Sequence, residues 1–168
     1  MTALRLLTAR LLAVLSTVVF IVLVIDVLWG VFTRYALGHQ APWSEEIARL
    51  LLVWLSMLGT ALAYGTRSHL GVDVLRQAVT PDARRLADIT THTLVLVFAA
   101  GVMLWGGTAL FLERMDAGQV MATLPLRRAW VYLSIPISGA VMSVFAALEL
   151  IDAARGKFDT HDVQPDGA

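Results

Sequence analysis

The hydrophobic residues of this chain gather into four blocks separated by short polar connections. Stretches free of charged residues run over 50–66, 89–112 and 129–148. A fourth apolar block, 11–33, is interrupted only by Asp26. A helix needs about 20 mostly apolar residues to cross a bilayer. The pattern therefore predicts an all-α integral membrane protein with four transmembrane helices over 11–33, 47–64, 89–112 and 130–151. A helical core in water would carry a polar face on every helix, which these blocks lack. Arg5 and Arg10 precede the first block as they would in a signal peptide. The block is nevertheless longer than an h-region of about 7–15 residues, so it is read as a permanent span.

The connections carry the polar signals. In the first, Pro42 stops the chain from continuing as helix. Ser44 is expected to cap the second helix, with Glu45 and Glu46 in its first turn, where the helix dipole favours anions. Arg49 stands four residues after Glu45 and three after Glu46, both pairing distances on a helix. Trp43 suits the membrane–water boundary. The segment reads either as an ordinary interfacial helix start or as a charged, aromatic patch facing a partner outside the membrane. In the connection 66–88, Leu70, Val74, Leu75, Ala78 and Val79 share one helical face, and His69, Asp73, Arg76, Gln77 and Thr80 lie largely opposite. That pattern predicts a short amphipathic helix lying in the interface between the second and third spans. His69 and Asp73 share a face, but two ligands do not make a metal site. They are read as a hydrogen-bonded pair that positions the connector. The third connection contains Gly118 and Pro125, and Trp130 and Tyr132 again suit the interface.

Composition narrows the function classes. Of 168 residues, 58% are apolar and 15% charged, so neither a soluble domain nor a disordered chain fits. Thirteen Lys and Arg balance thirteen Asp and Glu, which argues against nucleic-acid binding. With no cysteine, disulfide, thiol and iron–sulfur chemistry are excluded. Eight basic residues fall on the side of the termini and five on the other. The positive-inside rule then places both ends in the cytoplasm. Residues 1–157 read as one membrane domain and 158–168 as a polar, disordered cytoplasmic tail.

Candidate chemistry is sparse. Asp26 is the one acid well inside an apolar block, and intramembrane ionisable residues are functional candidates. It is read either as a coupling acid for protons or sodium, or as a buried hydrogen-bonding group. Of the four histidines only His92 approaches membrane depth, so no facing pair could hold a haem. No nucleotide loop, catalytic set or cofactor site is visible. Small residues recur at helical spacing, Gly59 with Ala63 and Gly139 with Ser143 and Ala147, as they do where membrane helices approach closely. Pro136 is expected to bend the fourth helix.

Several of these residues together resemble a known family. Arg34-Tyr35, Trp43-Ser44-Glu45-Glu46-Ile47-Ala48-Arg49, Trp54, Gly59, Ala63 and Arg67-Ser68-His69-Leu70-Gly71-Val72-Asp73 are similar to the small membrane subunit of TRAP (tripartite ATP-independent periplasmic) transporters, the DctQ-like subunit. Leu124-Pro125, Trp130-Val131-Tyr132 and Pro136 fit the same pattern, and the resemblance runs from about 11 to 151. It implies a non-enzymatic scaffold subunit in the bacterial inner membrane. The partners would be a large membrane subunit that moves an organic anion, a carboxylate or sugar acid, on a sodium gradient, and a periplasmic substrate-binding protein. Substrate and sodium ligands would lie in the large subunit, and nothing functional transfers to Asp26. The alternative from the residues themselves is an autonomous, dimeric four-helix antiporter with Asp26 as its coupling acid.

Overall fold

Each predicted span falls within a longer helical stretch. We describe the chain from a computed structural model covering residues 2–39, 41–66 and 81–154, with side chains from 5–39, 41–66 and 86–153. Helix α1 spans Thr2–Ala36 and α2 spans Pro42–Gly65. Helix α3, Pro81–Val97, runs into a π-helical segment, Phe98–Gly106, and continues as α4, Gly107–Asp116. A short α5, Ala129–Tyr132, precedes α6, Ser134–Ala154. Four stretches are long and apolar enough to cross a membrane: Arg5–Ala36, Pro42–Gly65, Leu86–Asp116 and Ala129–Ala153. The expected interfacial helix, with Arg67, His69 and Asp73, and the tail 158–168 lie outside the described residues.

The helices stand in an open row. α1 packs on α2, α2 on α6, and α6 on both α3 and the π-helical segment. Among the described residues no other pair of spans packs along its length. Burial follows this order: 39% of the most apolar window of the α6 span is buried, against 17% for each of the other three. α6 is therefore the hub, and α1 is held almost entirely along α2. On α1 the buried residues Leu12, Ser16, Asp26, Gly30 and Thr33, with half-buried Val19 and Leu23 between them, alternate at spacings of three and four. That is the seam of a helix lying lengthwise on one neighbour. Most of the remaining described α1 residues, including Phe20, Ile25 and Leu28, are exposed.

In lipid no hydrophobic force drives helices together, so close backbone approach and hydrogen bonds must hold the row. Glycines supply the approach. A Cβ on Gly139 of α6 would lie 2.6 Å from the Met103 Cβ and 2.8 Å from the Leu104 nitrogen. One on Gly107 would lie 2.8 Å from Ile135, and one on Gly65 would fall within the Phe145 ring. Phe145, Leu58, Ala61, Ala99 and Ala146 form the fully buried centre. Gly59, by contrast, has nothing within 4 Å of its would-be Cβ. The Gly59–Ala63 stripe thus leaves Gly59 facing open space, while Gly139 closes on a neighbour.

The expected fourth helix is broken in two at Leu133. Pro136 lacks an N–H and its ring opposes the carbonyl four residues earlier, so the turn before it cannot remain regular. Two carbonyls just before the break accept from side chains. The Trp54 Nε1–H donates to the Trp130 carbonyl at 3.1 Å, and the Ser134 hydroxyl donates to the Val131 carbonyl at 2.9 Å. Side-chain bonds of this kind help a span tolerate an interruption.

Candidate functional site

The polar groups of the described residues concentrate at the two ends of the row. At one end Arg5, at the start of α1, donates to the Gly65 carbonyl at the end of α2 and pairs with Glu149 of α6 at 2.7 Å. Glu149 is a second buried acid in an apolar helix, 6% exposed, and the sequence reading passed over it. The available signal was an acid in the last turns of a span whose end lies level with a basic helix start. Nearby, the Tyr64 hydroxyl and His92 Nδ1 stand 2.8 Å apart, joining α2 to α3.

The opposite end carries most of the residues singled out from sequence. α1 closes at Gly38, in the left-handed region at φ 74°. α2 then opens directly on Pro42, whose missing N–H would have had no helical partner anyway. Ala41 occupies the cap position with no side-chain bond, so the expected Ser44 cap is not formed. Ser44 lies one turn inside the helix, 2% exposed, and its hydroxyl donates to the Asp26 carbonyl at 3.1 Å. Thus Ser44 ties α2 to α1 rather than capping its own helix.

The two acids of the first turn have different partners. Glu45 accepts from Arg49 at 2.9 Å, with both side chains about two-thirds exposed. Glu46 faces the other way and accepts three hydrogen bonds: from the Ala122 and Thr123 N–H groups, at 2.9 and 3.1 Å, and from the Thr123 hydroxyl, at 2.6 Å. The expected Glu46–Arg49 pair gives way to this contact. The Glu46 carboxylate thereby grips the tip of the loop between α4 and α5. That loop turns at Gly118, φ 63°, and is drawn into a small hairpin by the Val120–Arg127 bridge, with Pro125 near its tip.

Around this grip lies an open cavity of about 260 Å³, lined by Glu46, Arg49, Leu50, Met121, Arg128, Val131 and Tyr132. The Arg114 guanidinium lies 5.8 Å from the Tyr132 ring centroid, a cation–π distance. Trp43 is partly exposed at this end, and Arg34 is exposed at the end of α1. The structure therefore brings Trp43, Glu45, Glu46, Arg49 and Pro125 to one end, while Trp54 stands midway along α2, where it meets Trp130. Gly59 sits deeper on α2.

Asp26 lies in the α1–α2 seam, 7% exposed. Neither of its carboxyl oxygens has a hydrogen-bond partner among the described residues. Its backbone carbonyl, not its side chain, makes the interhelical bond to Ser44. Among the described residues no group of three His, Asp or Glu side chains could hold a metal ion.

The chain is similar to several known proteins. A small permease protein of a sialic acid TRAP transporter, SiaQ of Vibrio cholerae, is 29% identical over 123 residues, covering 73% of this chain and 69% of that protein. A putative TRAP transporter small permease protein of Haemophilus influenzae is 26% identical over 149 residues, covering 89% of this chain and 86% of the relative. An isethionate TRAP transporter permease protein, DctMQ of Oleidesulfovibrio alaskensis, is 30% identical over 122 residues, which are 71% of this chain but 19% of that protein. Residues 23–156 match the family described as tripartite ATP-independent periplasmic transporters, DctQ component. With four helices able to span a membrane and this match over most of its length, the chain is a multi-pass membrane protein that belongs to the DctQ family of TRAP transporter small permease subunits.

Proposed function

We propose that this protein is the small scaffold subunit of a sodium-driven TRAP importer for organic anions. In that role it braces a large membrane subunit in the inner membrane, with both of its own termini in the cytoplasm. The observation that carries this reading is the open row of helices. A carrier must surround its solute at membrane depth. Here the row leaves broad faces of α1, α2 and the π-helical segment without a neighbour among the described residues. The cavity described lies at one end and is bounded by α2 and the α4–α5 loop. The match to only 19% of DctMQ supports the same reading, since in that relative a portion similar to this chain belongs to a far longer permease. A large subunit would stand where that remainder stands.

The exposed Trp43, Glu45 and Arg49 form the surface we assign to docking of a periplasmic substrate-binding protein. Sialate in the name of one relative and isethionate in that of another support an anionic substrate. The large subunit's identity is tested by affinity capture of the tagged chain from its native membrane. A stoichiometric large membrane protein in the eluate is expected, and recovery of the chain alone would contradict the assignment. Orientation is tested on Gln119→Cys, since the chain has no cysteine of its own. A membrane-impermeant maleimide should label it from the periplasm, and labelling only after lysis would reverse the topology.

One observation favours a second reading. The unpartnered carboxyl of Asp26 is what a coupling acid in an autonomous antiporter would require. Exchange activity of the reconstituted chain, abolished by Asp26→Asn, would establish that reading against ours.

A further inference from the structure

We propose that the cavity at the Trp43 end is a binding site for the phosphodiester headgroup of a membrane glycerophospholipid. The inference goes beyond the scaffold role and does not depend on it. The cavity has the two kinds of wall that such a molecule presents to a protein. Arg49 and Arg128 supply guanidinium donors, which match a phosphate's oxygens in a planar fork. Leu50, Met121 and Val131 supply apolar lining. Tyr132, on the same lining, carries a hydroxyl that can act as a neutral donor.

The availability of these groups decides what the site can take. The Arg128 side chain makes no hydrogen bond or close ion pair among the described residues, though its charge is felt by Glu46; its backbone N–H donates to the Gln119 carbonyl and its carbonyl accepts from Val131. Arg49 is held only by Glu45 in an exposed pair, which contributes little and can be exchanged. Glu46, the acid in the lining, has its oxygens occupied by the Ala122 and Thr123 donors. It anchors one wall and offsets part of the positive charge, so the free guanidinium is that of Arg128. The level is also right. Trp43, partly exposed in the first turn of α2, marks this end as the height of a lipid headgroup layer. At about 260 Å³ the cavity is below the usual size of a pocket for a drug-sized ligand, which suits a headgroup with its chains lying outside. A carboxylate from a docked protein would use the arginines but leave the Leu50, Met121 and Val131 wall uncovered. That makes it the less complete occupant.

The test uses the purified full chain in detergent, with bound lipid read by native mass spectrometry. Three lipids with the same acyl chains are offered: phosphatidylglycerol, phosphatidylethanolamine and diacylglycerol, the last lacking phosphate. Both phospholipids should be retained and diacylglycerol lost. Arg128→Gln should weaken phospholipid retention about tenfold, the scale of one hydrogen bond to a charged group. Arg10→Gln, an exposed arginine at the other end of α1, should leave retention unchanged. Inorganic phosphate should not displace the lipid, because it cannot use the apolar wall. Arg128 is exposed, so its variant should keep the wild-type circular dichroism spectrum. Should that spectrum change, Tyr132→Phe is the second variant, expected to weaken retention by a smaller factor. Equal retention of diacylglycerol, unchanged binding in both pocket variants, or displacement by inorganic phosphate would overturn the proposal. So would a result in which Arg128→Gln weakens only capture of protein partners, which would assign the cavity to a partner's carboxylate.

Discussion

Replacing Gly139 with alanine puts the packing argument to its sharpest test. The new Cβ would stand 2.6 Å from the Met103 Cβ, 2.8 Å from the Leu104 nitrogen and 2.9 Å from the Met103 carbonyl carbon. Carbon atoms make their best contact at about 3.5–4.0 Å, so the helices must part by roughly 1 Å. Two of the three obstructing atoms are backbone, and no rotamer change removes them. Overpacking of this kind costs about 1–3 kcal/mol, or roughly 5- to 150-fold in the folded-to-unfolded ratio. The loss should be visible as a lower midpoint when the purified chain is unfolded from detergent with increasing SDS. Gly59→Ala is the internal control. Its Cβ meets nothing within 4 Å, and alanine favours helix over glycine by about 0.5–1 kcal/mol. That variant should be neutral or slightly stabilised. If Gly139→Ala unfolds at the wild-type midpoint, the contact between α6 and the π-helical segment is not as close as described. The same control has a second use: Gly59→Ala should weaken capture of a large subunit if that subunit packs on the bare face of α2.

Three further outcomes follow from the contacts. Glu46→Ala removes the acceptor for Ala122, Thr123 and its hydroxyl, so those two amides should exchange hydrogen faster while the core of α6 keeps its protection. Glu45→Ala with Arg49→Ala should leave the chain's own stability within about 0.5 kcal/mol, because the pair is exposed, so any loss of binding-protein docking would report the surface itself. Trp54→Phe strands the Trp130 carbonyl beside the Pro136 break and should lower the unfolding free energy by about 0.5–1.5 kcal/mol in the same SDS assay.

The sequence made the spans legible because lipid demands long apolar runs, and such runs stand out without any knowledge of tertiary contacts. Their ends were less legible. α1 extends past its apolar block to Arg5 because that side chain finds Glu149 and the Gly65 carbonyl, one 144 and the other 60 residues away. The grip of Glu46 on Thr123 spans 77 residues, and local spacing pointed instead to Arg49. Ser44 looked like a cap because its type and position suit one. Pro42 begins the helix earlier, which leaves the hydroxyl free to reach α1. Spacing alone also could not rank the glycines. Gly59 and Gly139 stand in equally regular stripes, and only the neighbours reveal that Gly139 is closed in and Gly59 is not. The nine-residue π-helical segment was invisible, since its apolar residues FAAGVMLWG show no face that would betray a wider turn. Of the candidate site, the residue types at the Trp43 end were readable. Their division into an exposed pair, a loop anchor and a cavity wall was not.

The central claim is that this open row of helices supports transport without performing it. The most direct measurement is solute uptake into proteoliposomes under an imposed sodium gradient, with radiolabelled sialate or a C4-dicarboxylate as solute. The purified chain should give no uptake above empty liposomes, and uptake should appear when the captured large subunit and a binding protein are added. Sodium-driven accumulation by the chain reconstituted without companions would contradict the account.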